Sequence, residues 1–414
     1  MMLEMLPLET ALEVLVGRAK ILHKEVVELL SAHGRVLAQD IFAPINQPPF
    51  DRSPLDGYAL RGADIAAAAP GVPARLRVTE NVPAGYLARG RVETGTAMRI
   101  MTGAPIPAGA DTVVRVEDTR EKDGWVEVFV SLAPGSNIVR TGEDIRQGEM
   151  VLKGGRLLNA PEIGVLAALG IPRVEVFKRP RVAILSTGDE LVALERELTP
   201  GKIYNSNLYA LAASVLEAGG EPVPLGSVAD RPEEIARKIS EGLGKSDLVL
   251  TTGGASVGEH DRIREAMTCS GADLLFWKIK MKPGTPVVAG EASGKLILGL
   301  SGNPAAALIS FEVLVRPLIR KMAGFDKLYR PRLTVKLLED FRKQGKQRRF
   351  LRARVGVVDG ELCARLSSAQ SPGVLKSLLS TNSLLDVTGG RGPLSKGEQV
   401  EAILTGDLIG PGRS

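Results

Sequence analysis

The sequence predicts a multidomain protein of class α/β plus β, built on a central doubly wound α/β domain. Three observations carry this. The chain has 414 residues, more than one hydrophobic core ordinarily serves. Between 179 and 326, apolar strand-like runs alternate with helical patterns, the signature of a mostly parallel sheet covered on both faces. On either side the texture changes to short β-type runs separated by Pro and Gly.

Four domains are expected from these changes. They are a split N-terminal domain of residues 1–45 plus 145–178, a β-rich domain of 46–144 inserted into it, an α/β domain of 179–326, and a C-terminal β-barrel-like domain of 327–410. Residues 8–33 carry helical spacing through Leu8, Leu12, Leu15, Ala19, Val26, Val27 and Leu30, with Gly34 as a stop. In the insert, ARLRV, TAMRIM, DTVVRV and WVEVFV read as strands. PEIGVLAALG then reads as a helix and PRVEVF as a strand. In the α/β segment, RVAILST, EPVPLGSV, SDLVLTTGG, LLFWKIKM, PVVAGE and KLILGL are strands. Helices are expected over 206–218, from Pro232, over GEHDRIREAM, and from NPAAALISFEVL, where Pro317 should kink or end the helix near Arg316. Asp359-Gly360 marks a hairpin in the last domain.

Composition narrows the function. Apolar residues make up 44% and charged residues 24%, ordinary for a soluble globular chain. A formal net charge of +5 admits an anionic ligand without arguing for nucleic acid, and 4% aromatic residues leave few stacking platforms for single strands. The basic run Arg342 to Arg354 reads mostly as solvated surface. Two cysteines far apart, Cys269 and Cys363, form neither a disulfide framework nor a metal motif and fit a reducing cytoplasm. Three histidines, His23, His33 and His260, leave little material for a histidine-rich metal site or a Ser/His/Asp triad. No signal peptide or membrane-spanning run is expected.

In an open α/β sheet, ligands bind beyond the carboxyl ends of the strands. Those ends carry Asp189 and Glu190, then Asp230, then TTGGASVGEHD with Gly253, Gly254, Ser256, Gly258, Glu259 and Asp261. They also carry Lys278, Lys280 and Lys282, and finally Asn303 and Pro304 in LSGNP. Glycine amides and lysines suit an anion. The carboxylates suit an intervening cation, or the N–H groups of a heterocycle. Helix capping is the plainer use of Asp189, Asp230 and Asp261, and close packing that of the glycines. The turns at 48–61, 98–118 and 140–149 read from composition as ordinary connections.

Taken together, SPLDGYALR, RIMTGAPIPAGADTVV, RTGEDI, KRPRVAILSTGDEL, NSNLYAL, VLTTGGASVGEHD, WKIKMKPGTP and LSGNPAAA resemble the molybdopterin molybdenumtransferase family, of MoeA type and related to the gephyrin E domain. The motifs occur in family order over nearly the whole chain. The resemblance implies molybdenum cofactor biosynthesis. Adenylylated molybdopterin would be hydrolysed with release of AMP, and molybdate inserted into the dithiolene, with Mg2+ assisting. It implies that an upstream molybdopterin adenylyltransferase supplies the substrate. It also implies a homodimer, with the split domain as dimerisation domain and the cleft built from both protomers. By motif, the catalytic residues would be Asp56, Thr102, Asp144, Glu190, Asp230, Asp261, Lys278 and Lys282. Gly253, Gly254, Ser256, Gly258, Asn303, Pro304, Arg352 and Ser371 would bind substrate, with Glu190 and Asp261 on the metal. The chain departs from the family pattern at Ser301, where proline is frequent, and at Pro372, where a molybdate-contacting serine falls, with Ser371 adjacent. A molybdopterin-binding scaffold without insertion activity and a tungstate-specific paralogue are the alternatives.

Overall fold

The computed structural model describes residues 3–254 and 262–408. Its centre is a seven-stranded sheet in the order Leu3–Leu6, Asp273–Ile279, Val288–Ala292, Lys295–Leu300, Leu248–Thr252, Arg181–Thr187 and Glu221–Val228. All neighbours pair in parallel except around Val288–Ala292, which is antiparallel to both flanking strands. The period of two is explicit in the core. Val182, Ile184, Leu248, Leu250, Leu296 and Leu298 face helices Leu8–Arg18, Ser206–Ala218 and 304–322. Ala183, Leu185, Val249 and Ile297 face helices Pro232–Lys245 and Arg262–Cys269. Alternate residues thus bury apolar area on both faces, which is why these strands read as continuous hydrophobic runs.

The structure modifies two element readings. The helical spacing of 8–33 holds only over Leu8–Arg18. Lys24–Glu28 is a strand, paired antiparallel with Arg173–Phe177 across a long sequence gap, and Leu29–Ala32 is a single 3₁₀ turn. The β-branched pair Val26-Val27 is compatible with either period, and the distant partner strand decides. Pro317 does not end its helix. Helical backbone runs unbroken from Pro304 to Met322, because Phe311–Val315 adopts a π turn and the Arg316 amide bonds back to Phe311. That extra residue absorbs the register that a proline lacking N–H would otherwise break.

The opening strand and helix belong physically to the central sheet, and Leu6, Leu8, Ala11 and Leu15 are part of its core. The expected grouping had placed 1–45 with 145–178. The described remainder of that unit has its own small core around Leu37, Leu158, Leu166 and Val176. The insert is a six-stranded open sheet in the order Thr112–Arg115, Gly57–Leu60, Thr96–Ile100, Ala74–Val82, Trp125–Val128, Thr119–Lys122. In the last unit Arg332–Leu337, Gln399–Leu404, Ser383–Val387, Arg348–Val358 and Glu361–Leu366 close into a five-stranded barrel. Asp359 and Gly360 both have positive φ, as a tight two-residue hairpin turn requires.

The barrel is tied to the α/β domain in two ways. Phe350, Leu384 and Ile403 point out of it into the central core, while Leu351, Ala353 and Val355 fill its interior. Met281–Lys282 leaves the central sheet and pairs in parallel with Arg348 and Arg349 of the barrel. No helix among the described residues is long and apolar enough to cross a membrane.

Candidate functional site

The carboxyl ends of strands Arg181–Thr187, Leu248–Thr252 and Lys295–Leu300 border a cavity of about 880 Å³. Its lining includes Glu190, Asn205, Asn207, Asp230, Gly253, Gly254, Ser301, Asn303 and Pro304. The structure therefore brings together six of the residues expected at strand ends: Glu190, Asp230, Gly253, Gly254, Asn303 and Pro304. Ser256, Gly258, Glu259 and Asp261 lie outside the described residues.

Backbone proximity explains the glycines. Gly253 has φ +97, and a Cβ there would sit 2.1 Å from the carbonyl oxygen of Thr187. A Cβ on Gly254 would lie 2.9 Å from both Asp230 Oδ1 and Thr187 Oγ1. The two glycines let the turn pass against the neighbouring strand end. The buried oxygens Asp230 Oδ1 and Thr187 Oγ1 have no hydrogen-bond partner among the described residues. Asp230 caps no helix: Arg231 occupies the N-cap of Pro232–Lys245, and Arg262 lies 3.6 Å from the Asp230 carboxylate.

Side chains that the sequence reading did not single out hold this rim. Asn207 Nδ2 donates to Thr252 Oγ1 at 2.9 Å and to Gly302 O at 2.8 Å. Thr252 Oγ1 in turn donates to Ser301 O at 3.0 Å. Asn205 Oδ1 accepts from Ser186 Oγ at 2.8 Å and caps the helix Ser206–Ala218 through the Leu208 amide. The available signal was the NSN triplet before a helix: the first Asn is the cap and the second turns back toward the strand ends. Ser301, where a proline was the common family choice, accepts from the Asn303 amide at 3.2 Å and so shapes the Gly302 turn itself.

A second cleft of about 450 Å³ adjoins the first through Pro286, Ser301 and Asn303 and runs between the α/β domain and the barrel. Lys282, Lys343 and Arg349 line it, with no carboxylate among its lining residues. Beside it, Arg352 is 1% exposed. Its Nη2 donates at 3.0 Å to the carbonyl oxygens of Ala369 and Ser371. Its Nε and Nη1 have no partner among the described residues. Burial pulls its pKa below the usual arginine value. Ser371 thus meets Arg352 through its main chain. Pro372, at the position of the expected serine, presents its carbonyl to the amides of Ala305 and Ala306 at 3.1 and 3.3 Å. Those helix-opening amides are consequently occupied by the protein itself, contrary to the anion-binding use that a helix start suggests.

Lys278 stands apart from the cavity lining. It has φ +65, an uncommon conformation for a side-chain-bearing residue, and closes the strand Asp273–Ile279 region near the chain's first strand. Its Nζ lies 3.5 Å from the centroid of the Trp277 ring and 3.7 Å from Glu4.

The insert supplies a separate constellation. Asp56 Oδ1 accepts from the Thr102 amide at 2.7 Å and from its hydroxyl at 2.8 Å. The Thr102 amide, then its hydroxyl, hold the Asp56 carboxyl below the usual carboxylate range. Asp144 is exposed on the turn 140–144, which hydrogen-bonds to 47–51. Asp56, Thr102 and Asp144 do not line the strand-end cavity of their own chain. Among the described residues, no group of three or more His, Cys, Asp or Glu side chains is arranged to hold a metal ion.

A split N-terminal unit with a β insert, a strand-end cavity in a doubly wound domain and a barrel packed over it define a multidomain ligand-binding enzyme architecture. Comparison with known proteins specifies it. Residues 6–170 match the MoeA N-terminal region (domain I and II), 183–321 a probable molybdopterin binding domain, and 334–405 the MoeA C-terminal region (domain IV). The chain is 37% identical over 381 residues to a molybdopterin molybdenumtransferase of Nostoc sp., covering 91% of this chain and 87% of that protein. It is 36% identical over 384 residues to the molybdopterin molybdenumtransferase of Bacillus subtilis, covering 92% and 89%. A crystal structure of a molybdopterin biosynthesis MoeA protein from Pyrococcus horikoshii superimposes with a TM-score of 0.82 at 31% identity, covering 98% of this chain and 100% of that one. The chain belongs to the MoeA-type molybdopterin molybdenumtransferase family. It is a transferase of molybdenum cofactor biosynthesis.

Proposed function

We propose that this enzyme takes adenylylated molybdopterin from an upstream molybdopterin adenylyltransferase, hydrolyses its phosphoanhydride with release of AMP, and inserts molybdate into the dithiolene. The observation that carries this reading is the pairing of two adjoining clefts of different character. The strand-end cavity offers carboxylates and amide side chains, suited to a pterin and its N–H groups. The neighbouring cleft offers Lys282, Lys343 and Arg349 without a carboxylate, beside a buried Arg352 whose Nε and Nη1 have no partner among the described residues. That second cleft suits a tetrahedral oxyanion.

In this reading Gly253 and Gly254 bring the main chain close to the substrate, and Asn303 and Asn207 fix the rim. Lys282 approaches the oxyanion from the α/β side and Arg352 from the barrel side. Lys278 adds positive charge once it leaves Trp277 and Glu4. Mg2+ would supply polarisation of the phosphoanhydride. Asp230, with its unpartnered Oδ1, fits a hard cation, and Glu190 and Asp261 are the further oxygen donors we assign to it. No histidine is needed, because positive charge and positioning do the work. Asp56, Thr102 and Asp144 join the cleft of a second protomer in the homodimer we propose, since they do not line their own.

The test is AMP release from adenylylated molybdopterin, measured with and without molybdate and magnesium. Molybdate-dependent AMP release is expected. Tight pterin binding without turnover would make the chain a scaffold, and turnover with tungstate alone would make it a tungstate-specific paralogue.

A further inference from the structure

The insert carries one construction twice. Asp56 clamps Thr102 through the threonine amide and hydroxyl. Five positions earlier, Asp51 Oδ1 accepts the amide and the hydroxyl of Thr141, both at 2.8 Å, while its Oδ2 accepts from Arg140 Nη1 at 2.7 Å. Each threonine precedes a glycine with positive φ, +83 at Gly103 and +69 at Gly142. Each glycine donates its amide to the same short segment, Gly103 to Ser53 O at 2.8 Å and Gly142 to Pro48 O at 2.9 Å. One stretch, 47–56, therefore pins two Thr-Gly turns that are distant in sequence.

The two turns present different groups. The first presents Thr102. The second presents Asp144, whose amide bonds to Gln47 O at 3.1 Å and whose carboxylate is exposed without a described partner. With no bond of its own among the described residues, that carboxylate is aimed by the backbone of its turn. The turn is fastened by three bonds to a single carboxylate, that of Asp51.

We infer that Asp51 and Thr141 are positioning residues that act through Asp144, as Asp56 positions Thr102. The inference rests on the reading of Asp144 as part of the reaction site. Small misplacement of a positioned group can cost about a hundredfold in rate, so we expect Asp51→Ala to lower kcat by about ten- to a hundredfold.

The experiment compares kcat and KM for AMP release in wild type, Asp51→Ala, Asp144→Asn and the double variant, with thermal unfolding of each. Asp51→Ala should lower kcat in the wild-type background and add nothing to Asp144→Asn. Thr141→Ser, which keeps the hydroxyl, should turn over as wild type, and Thr141→Val should fall with Asp51→Ala. A merely structural Asp51 would lower kcat by the same factor in both backgrounds, and that result overturns the inference. An unchanged Asp51→Ala overturns it as well. If Asp144→Asn alone turns over like wild type, the role of Asp144 fails and this inference with it. A crippled Asp144→Asn with additive Asp51→Ala removes only the inference.

Discussion

Replacing Arg352 by methionine should separate stability from function. Arg352 is 1% exposed, and burial alone lowers its pKa, with no carboxylate beside it among the described residues. It makes two charge-assisted bonds to carbonyls at 3.0 Å, worth about 1.5–3 kcal/mol each. Against them stand two buried nitrogens without partners among the described residues, Nε and Nη1, costing about 1–3 kcal/mol each. The two sums overlap, and methionine retains much of the apolar stem, so the net change in unfolding free energy should lie within about 2 kcal/mol of zero. Molybdate should behave differently. At a hundred times its Kd a ligand stabilises the folded state by about 2.7 kcal/mol, and Arg352→Met should abolish that increment. The assay is urea unfolding of both proteins with and without molybdate, alongside AMP release. A variant destabilised by more than about 4 kcal/mol that still responds to molybdate would refute the reasoning, because Arg352 would then be a structural cation.

Further expectations follow from the same geometry. Gly253→Ala would place a Cβ 2.1 Å from Thr187 O at φ +97. Strain and overpacking together should cost about 2–5 kcal/mol in chemical denaturation, and a neutral variant would show that the turn can move. Asn207→Leu removes the bridge between Thr252 and Gly302 and should raise KM for the pterin substrate more than it lowers kcat. Equal kcat with unchanged KM would count against the rim's role. Asp56 is held below its ordinary value of 3.8 by the Thr102 amide and hydroxyl. A depressed carboxylate contributes stability above its unfolded pKa and loses it as pH falls through the folded value. The Tm difference between wild type and Asp56→Asn should therefore be flat from pH 8 to about 5 and shrink only on acidification below the unfolded value; a change between pH 7 and 6 would contradict this. Finally, mixing inactive Glu190→Ala and Asp144→Asn proteins should restore activity if each cleft draws on two protomers. Persistent inactivity in demonstrated heterodimers would place both residues in a single-chain site.

How legible was this in the sequence? The central sheet was readable because alternate residues such as Val182, Ala183 and Ile184 serve two cores, leaving unbroken apolar runs that strand ends must terminate. The hairpin at Asp359-Gly360 was readable because two consecutive positive φ values leave few residue choices. Lys24–Glu28 was not, since its identity is set by Arg173–Phe177, far along the chain. The π turn before Pro317 was also hidden: a proline reads as a break, and only the packed helix shows how the register was absorbed. Within the site, glycines and charges at strand ends were visible as types. The partners were not. The clamp of Asp51 on Thr141, the Pro372 carbonyl over Ala305 and the isolation of Arg352 all join segments that are distant in sequence.

The strand Leu3–Leu6 lies beside Asp273–Ile279, with Leu6 opposite Ile279. During synthesis its pairing partner does not yet exist. At about 5–20 residues per second, roughly 15–55 s separate the appearance of the two strands. Through that interval the strand Leu3–Leu6 has no sheet edge to join, and that border of the central sheet stays unfinished. That edge of the central sheet is thus finished late in the birth of the molecule, by a segment that emerged long before its partner.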